Sequence, residues 1–172
     1  ESCVMNLVRF VYISSATPEY NEQLDLGRIL QASRRNNPRE EIGGVLYSGH
    51  GYFFQCLEGD RHKVNALYRR LLNDPRHADV DVISVKPIPF RTFSDWSMKY
   101  VPAEGDIERL LRQRGHKEFN PYAFDEDMVD ALVSTFAGAI DPTGGPDLEG
   151  GADSAKRQSA LSSLVDFFRG RG

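Results

Sequence analysis

Along the first hundred residues the apolar positions change period, and each change marks an element. LVRFVYIS (7–14) alternates, with Val8, Phe10 and Tyr12 on one face and Leu7, Val11 and Ile13 on the other, which predicts a strand. EQLDLGRILQASRRNN then repeats at helical spacing, with Asn21 as its N-cap and Leu26, Ile29, Leu30 and Ser33 as its inner stripe. Asn37-Pro38 ends that helix, because a residue before proline is pushed out of the α region. GGVLYSGHGYFFQCLEG predicts a hairpin turning at Ser48-Gly49-His50-Gly51. Asp60 caps a second helix, RHKVNALYRRLLND, which faces inward with Val64, Leu67, Tyr68, Leu71 and Leu72 and stops at Pro75. VDVISVKPI (80–88) and RTFSDWSMKYV (91–101) predict a fourth and a fifth strand.

The order β-α-β-β-α-β-β predicts an α+β fold: a ferredoxin-like, five-stranded mixed sheet with two helices on one face. The other face, with Leu7, Val11, Ile13, Tyr52 and Phe54, needs its own cover. Two later helical stretches are expected to supply it: GDIERLLRQR, and FDEDMVDALVSTFAGAI with Met128, Leu132, Val133, Phe136 and Ile140. The expected organisation is a domain over 5–101, a helical cap or output region over 102–140, and a tail over 141–172. The tail opens with DPTGGPDLEGGADSAKRQSA, which reads as a flexible linker. It closes on a short amphipathic helix presenting Leu161, Leu164, Val165 and Phe168.

One residue resists the pattern. In GYFFQCLEG, Phe53, Gln55 and Leu57 share a face, and Tyr52, Phe54 and Cys56 share the other. Both faces are apolar, so the strand is covered twice. A carboxamide buried there must find partners, since unpaired it costs about 1–3 kcal/mol. Tyr12 lies on a strand that neighbours it in this topology, on the helix side. Asn37 after the first helix, and Asp74, Arg76 and His77 after the second, converge on the same space.

Composition narrows the chemistry. The chain has 172 residues, 40% of them hydrophobic, and a net charge of −4, which speaks against generic nucleic-acid binding. The histidines at 50, 62, 77 and 116 have no metal-ligand spacing, and the two cysteines, Cys3 and Cys56, suggest no disulfide framework. No apolar run reaches the roughly 18–20 residues of a membrane span. The start, ESCVMNLVRF, lacks a signal-peptide pattern, and Met5 is a candidate native start. A reduced, cytoplasmic setting is expected.

Taken in order, VRFVYIS, ILQASRRNNPREEIGGVLYS, GYFFQCLEG, LYRRLLNDPRH and RTFSDWSM resemble the BLUF family, sensors of blue light using flavin adenine dinucleotide. The likeness covers residues 7–101 and implies a short photoreceptor with FAD, or alternatively FMN, held non-covalently between the first two helices. It implies that Tyr12 and Gln55 are the photoactive pair, with Gln55 beside flavin N5 and the C4 carbonyl. Asn37 would meet the O4/N3 edge, Arg76 and His77 the O2 edge with Asp74 close by, and Ser33, Ile29, Leu46 and Phe53 would line the slot. Trp96 and Met98 match a fifth-strand pair linked to signal relay; Cys56 departs from the bulkier residue usual there. No cyclase, phosphodiesterase or DNA-binding module is recognisable after residue 101. The expectation is therefore a sensor without enzyme activity that signals to a downstream protein, and that forms a homo-oligomer through exposed apolar sheet. The competing readings are a ferredoxin-like module binding single-stranded RNA without a chromophore, and a small hydrolase of that fold. SSATPEYN lacks the glycines of a phosphate-cradling loop.

Overall fold

The computed structural model describes residues 6–102 and 104–143. Its elements are β1 (Leu7–Ala16), α1 (Glu22–Asn36), β2 (Gly43–Gly49), β3 (Tyr52–Asp60), α2 (Arg61–Leu71), β4 (His77–Pro87), β5 (Lys99–Tyr100), α3 (Glu104–Gln113) and α4 (Glu126–Gly138). The caps are those the sequence offers. Asn21 Oδ1 accepts the N–H groups of Gln23 and Leu24, and Asp60 accepts those of His62 and Lys63. Pro38 converts the end of α1 into a 3₁₀ turn, Asn37–Glu40. The β2–β3 loop is two residues, His50 and Gly51, both at positive φ (55° and 81°). That backbone is the type I′ hairpin turn, whose twist matches its strands.

The five strands run in the order β4-β1-β3-β2-β5, antiparallel except for β2 beside β5. Register fixes the site. Val82, Tyr12, Gln55, Leu46 and Tyr100 form one row across the sheet, and Ser84, Val11, Cys56, Val45 and Lys99 form a row pointing the opposite way. The first face packs Phe10, Tyr12, Leu46, Phe53 and Leu57 against Leu26 and Leu30 of α1 and Val64 of α2. The second packs Val11, Ile13, Tyr47, Phe54 and Cys56 beneath α3 and α4, including Met128, Leu132, Val133 and Phe136. The α+β, five-stranded mixed sheet expected from the sequence is the fold found.

Several expectations need correction. Only Lys99 and Tyr100 of RTFSDWSMKYV pair as strand, so Trp96 and Met98 precede the fifth strand rather than lie in it. The cause is an anchor upstream. Glu58, fully buried in β3, accepts the N–H of Thr92 at 3.0 Å and of Phe93 at 2.6 Å, holding that segment in turns. Gly44 N–H also donates to the Trp96 carbonyl at 3.2 Å, and a Cβ on Gly43 would lie 2.7 Å from the Phe93 oxygen. Only glycine allows that approach. β4 starts at His77, three residues earlier than its alternation suggests. Leu72 and Ile140, assigned inward, are 47% and 85% exposed because α2 and α4 stop before them. Asp141, assigned to a flexible linker, is buried. The amphipathic segment of Leu161, Leu164, Val165 and Phe168, together with Cys3 and Met5, lies outside the described residues.

Glu58→Gln would set an NH₂ group against one of the two backbone N–H donors. It should cost about 1–3 kcal/mol, seen as a lower urea midpoint with an unchanged slope. An unchanged midpoint would show that the anchor contributes nothing.

Candidate functional site

Between α1 and α2 the sheet carries an open cavity enclosing about 570 Å³ with its mouth included. Ile29, Ala32 and Ser33 of α1 form one wall, and Leu46, Phe53, Gln55 and Tyr12 form the floor. Leu71, Asp74, Arg76 and His77, at and beyond the end of α2, form the other wall. The lining is apolar through its body and polar at one end, as a flat heteroaromatic ligand requires. Ala32 and Leu71 are the additions to the set taken from the sequence. Helical spacing had already turned Leu71 inward, but nothing marked Ala32 apart from its neighbour Ser33.

At the floor, the Tyr12 hydroxyl donates to Gln55 Oε1, across the β1–β3 pairing that puts these residues opposite each other. Gln55 Nε2 donates in turn to Met98 Sδ at 3.5 Å. Burial pushes the Tyr12 phenol well above its ordinary range, and the charge of Asp74 adds to the effect. Tyr12 is thus a neutral hydrogen-bond donor. Tyr68 of α2 and His77 pack around its ring at centroid distances of 5.8 Å and 6.3 Å.

The polar end is internally braced. Arg76 Nε donates to Asp74 Oδ1 at 2.9 Å, and Arg76 Nη1 lies 3.8 Å from Asp25 Oδ1 in α1. The Arg76 hydrogen bonds hold the Asp74 carboxyl below the usual carboxylate range, and Asp74 in turn raises Arg76. His77 Nε2 is 2.6 Å from the Leu71 carbonyl, which can only accept, so that nitrogen carries a proton; Nδ1 is 2.8 Å from Ser14 Oγ. Both bonds fix the ring plane.

Three residues expected at the site stand apart. Asn37 is buried, but its Nδ2 donates to the Ser97 carbonyl at 2.8 Å and it lines a neighbouring cleft with Arg39 and Arg70. Met98 contacts the cavity through Gln55 rather than lining it. Trp96 packs on the far face of the sheet, where Lys99 Nζ lies 5.1 Å from its ring centroid. Cys56 also points away from the cavity, and burial raises its thiol far out of the reactive range. Among the described residues no group of His, Cys, Asp and Glu could hold a metal ion, and no helix is long and apolar enough to cross a membrane.

The face that a ferredoxin-like RNA binder would offer to bases is occupied here. Phe54 is fully buried, with Phe119 and Phe136 packed over that side of the sheet. This removes the structural basis of the RNA reading.

Comparison with known proteins agrees. The photoactivated adenylate cyclase subunit beta of Euglena gracilis is 38% identical over 93 residues, 54% of this chain and 11% of that protein. The blue light- and temperature-regulated antirepressor BluF of Escherichia coli (strain K12) is 30% identical over 95 residues, 53% of this chain and 24% of that protein. The chain thus spans only a small part of these curated relatives. Solved structures match more fully. The photo-activated state of BlsA superposes with a TM-score of 0.75 at 32% identity, covering 78% of this chain and 97% of that one. The dark state of BlrB, a BLUF protein, gives 0.64 at 30% identity, covering 78% and 98%. Residues 7–99, more than half of the sequence, match the family described as sensors of blue-light using FAD, and the chain belongs to that family, BLUF.

Proposed function

We propose that this chain is a short photoreceptor that holds FAD non-covalently in the cavity between α1 and α2 and signals through Tyr12, Gln55 and Met98. The observation that carries the reading is the buried, hydrogen-bonded Tyr12–Gln55 pair on the floor of a cavity with an apolar body and a polar end. FMN would use the same cavity, so the preference for FAD rests on the family. Arg76, His77 and Asp74 would hold the polar rim of the ring, and Ile29, Ser33, Leu46 and Phe53 its body. Asn37 joins them by exchanging the Ser97 carbonyl for the ligand.

When bound, the flavin supplies the absorption of blue light and an excited state able to take an electron. The protein's part follows from its own groups. A phenol that loses an electron becomes strongly acidic, and Gln55 Oε1 already accepts its hydrogen bond. The proton therefore leaves with the electron, toward Gln55 Oε1. Gln55 Nε2 would give up one of its own protons toward the cavity, so that no charge stays buried on Tyr12 or on the amide. Gln55 is held at one end by a hydroxyl and at the other by a thioether, a weak acceptor. Rotation of the amide would exchange these ends, whereas tautomerisation would make the oxygen a donor in place; either changes the donor presented to the cavity. Cofactor chemistry and protein positioning divide here in the usual way.

The chain itself acts as sensor, and the effector is a separate or fused protein. Homologous sensors in adenylate cyclase subunits are compatible with either arrangement. The α3–α4 layer, which lies behind the sheet and includes the region after 102, is the proposed output surface. Self-association would use the sheet edge, where Val82 and Val85 of β4 are 42% and 49% exposed.

Gln55→Leu keeps the packing but removes both hydrogen-bonding ends. The purified variant should stay yellow yet lose the red shift of flavin absorption under blue light; a normal shift would remove Gln55 from the mechanism. Tyr12→Phe should also keep the flavin and abolish the productive cycle in transient absorption. An unchanged cycle would transfer the donor role elsewhere, with Tyr68 the nearest ring.

Because the Tyr12 phenol is raised by burial, it keeps its proton where an ordinary tyrosine, with a pKa of 10.0, begins to lose it. The folded state then binds more protons than the unfolded one, so stability falls as pH rises through and beyond that value. The light-induced shift should keep its amplitude up to about pH 10 in any preparation that remains folded. Loss of amplitude centred near there, without unfolding, would contradict a buried neutral donor.

A further inference from the structure

β5 is the point at which the two faces of the sheet are tied together, and the tie involves residues outside the flavin cavity. Met98, whose sulfur accepts from Gln55, offers its carbonyl oxygen to Arg34 Nε at 3.0 Å. Arg34 sits in the last turn of α1 and uses the rest of its guanidinium elsewhere. Its Nη2 donates to Asp141 Oδ2 and to Thr143 Oγ1, both at 2.9 Å. The Asp141 side chain is fully buried, although it comes from the chain that has just left α4. Its Oδ2 also accepts the Tyr100 N–H at 2.9 Å, and its Oδ1 accepts the Thr143 N–H at 2.8 Å.

A buried carboxylate is tolerable only while paired and fully hydrogen-bonded, and removing one partner is strongly unfavourable. This makes the arrangement discrete: Asp141 is either held by Arg34 and β5 or released to water. The guanidinium fork is shared between Met98, which answers to Gln55, and Asp141, which holds the exit from α4. A shift of the Met98 backbone therefore moves the donor on which burial of Asp141 depends. By contrast, Lys99 ties β5 to the Ala137 carbonyl at the end of α4 from the other face, without touching the cavity side.

We propose that Arg34 and Asp141 form a latch that holds the chain leaving α4 against β5, and that rearrangement at Gln55 and Met98 opens it. Arg34 is then a positioning residue for output rather than a flavin ligand. The inference rests on the photoreceptor reading above, and it names where the signal leaves the domain.

The full chain loaded with flavin gives the test, using amide exchange at Tyr100 and Thr143, the two backbone donors to Asp141. In the wild type both amides should exchange about tenfold faster under blue light than in the dark, inside the roughly 5–150-fold range of coupling between sites. Asp141→Asn should exchange fast in both conditions while keeping the flavin red shift. Arg34→Lys keeps the charge but lacks a fork able to hold Met98 and Asp141 together. It too should erase the light dependence and keep the red shift, an outcome that a merely structural Arg34 would not produce. Equal exchange in light and dark beside a normal red shift would overturn the latch and leave the photoreceptor intact. A light-dependent change that survives in Arg34→Lys would also overturn it. Absence of any red shift in the wild type would overturn both.

Discussion

The bond from the Tyr12 hydroxyl to Gln55 Oε1 is the interaction on which the rest of the site depends. It exists because three strands agree in register: Tyr12 opposite Gln55, and Gln55 opposite Leu46. A slip of one residue in either pairing would turn the tyrosine or the glutamine to the other face, among Val11, Cys56 and Val45. The amide is held unequally. A phenol grips its oxygen, whereas among the described residues its nitrogen meets a thioether, so one end is firm and the other loose. An amide satisfied by two strong partners would be locked; one with no partners would be too costly to bury. The observed asymmetry lies between those limits and suits the proposed reorientation of the amide without unfolding of its surroundings.

Reorientation is useful only if something beside it can move. The centre of the sheet cannot: β1 and β3 are paired along their whole length, and both faces are packed. The edge next to β2 differs. Its strand is two residues long, and the approach to it is an irregular segment pinned at its start by Glu58 and beside Gly44. Past those pins the chain has one short stretch, containing Ser97 and Met98, before pairing resumes. The fold thus sets a rigid floor beneath Gln55 and, against its amide nitrogen, a segment outside the sheet ladder whose carbonyls are held by the side chains of Asn37 and Arg34. At the opposite edge β4 is 11 residues long and pairs broadly with β1, so it offers no equivalent freedom.

Most of this could be read from the residues because its causes are local. Period-two and period-3.6 patterns, two side-chain caps and a His-Gly turn define the elements, and alternation alone put Phe53, Gln55 and Leu57 together. The cavity lining followed from the resemblance, and Tyr12, Ile29, Ser33, Leu46, Phe53, Gln55, Asp74, Arg76 and His77 do share one cavity. What was missed depends on contacts distant in sequence. RTFSDWSMKYV alternates like a strand, but the backbone hydrogen bonds of Thr92 and Phe93 go to a glutamate 34 and 35 positions away. Asp141 begins a stretch rich in Gly, Pro and Asp, which composition reads as linker. Its burial is made tolerable by Arg34, 107 positions earlier, together with the N–H groups of Tyr100 and Thr143. Asn37 was placed at the right helix end, yet periodicity carries no information about which carbonyl its amide would choose.

The electrostatics of the polar end bear on Tyr12 as much as on any ligand. Asp74 is kept ionised by Arg76, and its charge is felt at the phenol, where it disfavours the anion. In the proposed cycle the same field would ease electron loss from Tyr12 as its proton shifts toward Gln55 Oε1. The Arg76 charge opposes this, as it must if Asp74 is to stay ionised in a partly buried site. The balance depends on distance: Arg76 reaches past Asp74 toward Asp25 of α1, which draws part of its charge away from the tyrosine. If Tyr12 is the electron donor as proposed, the salt-bridged triplet that frames the ligand end of the cavity would also tune how readily it gives up an electron. Loosening Asp25 from Arg76 would alter the donor without touching it.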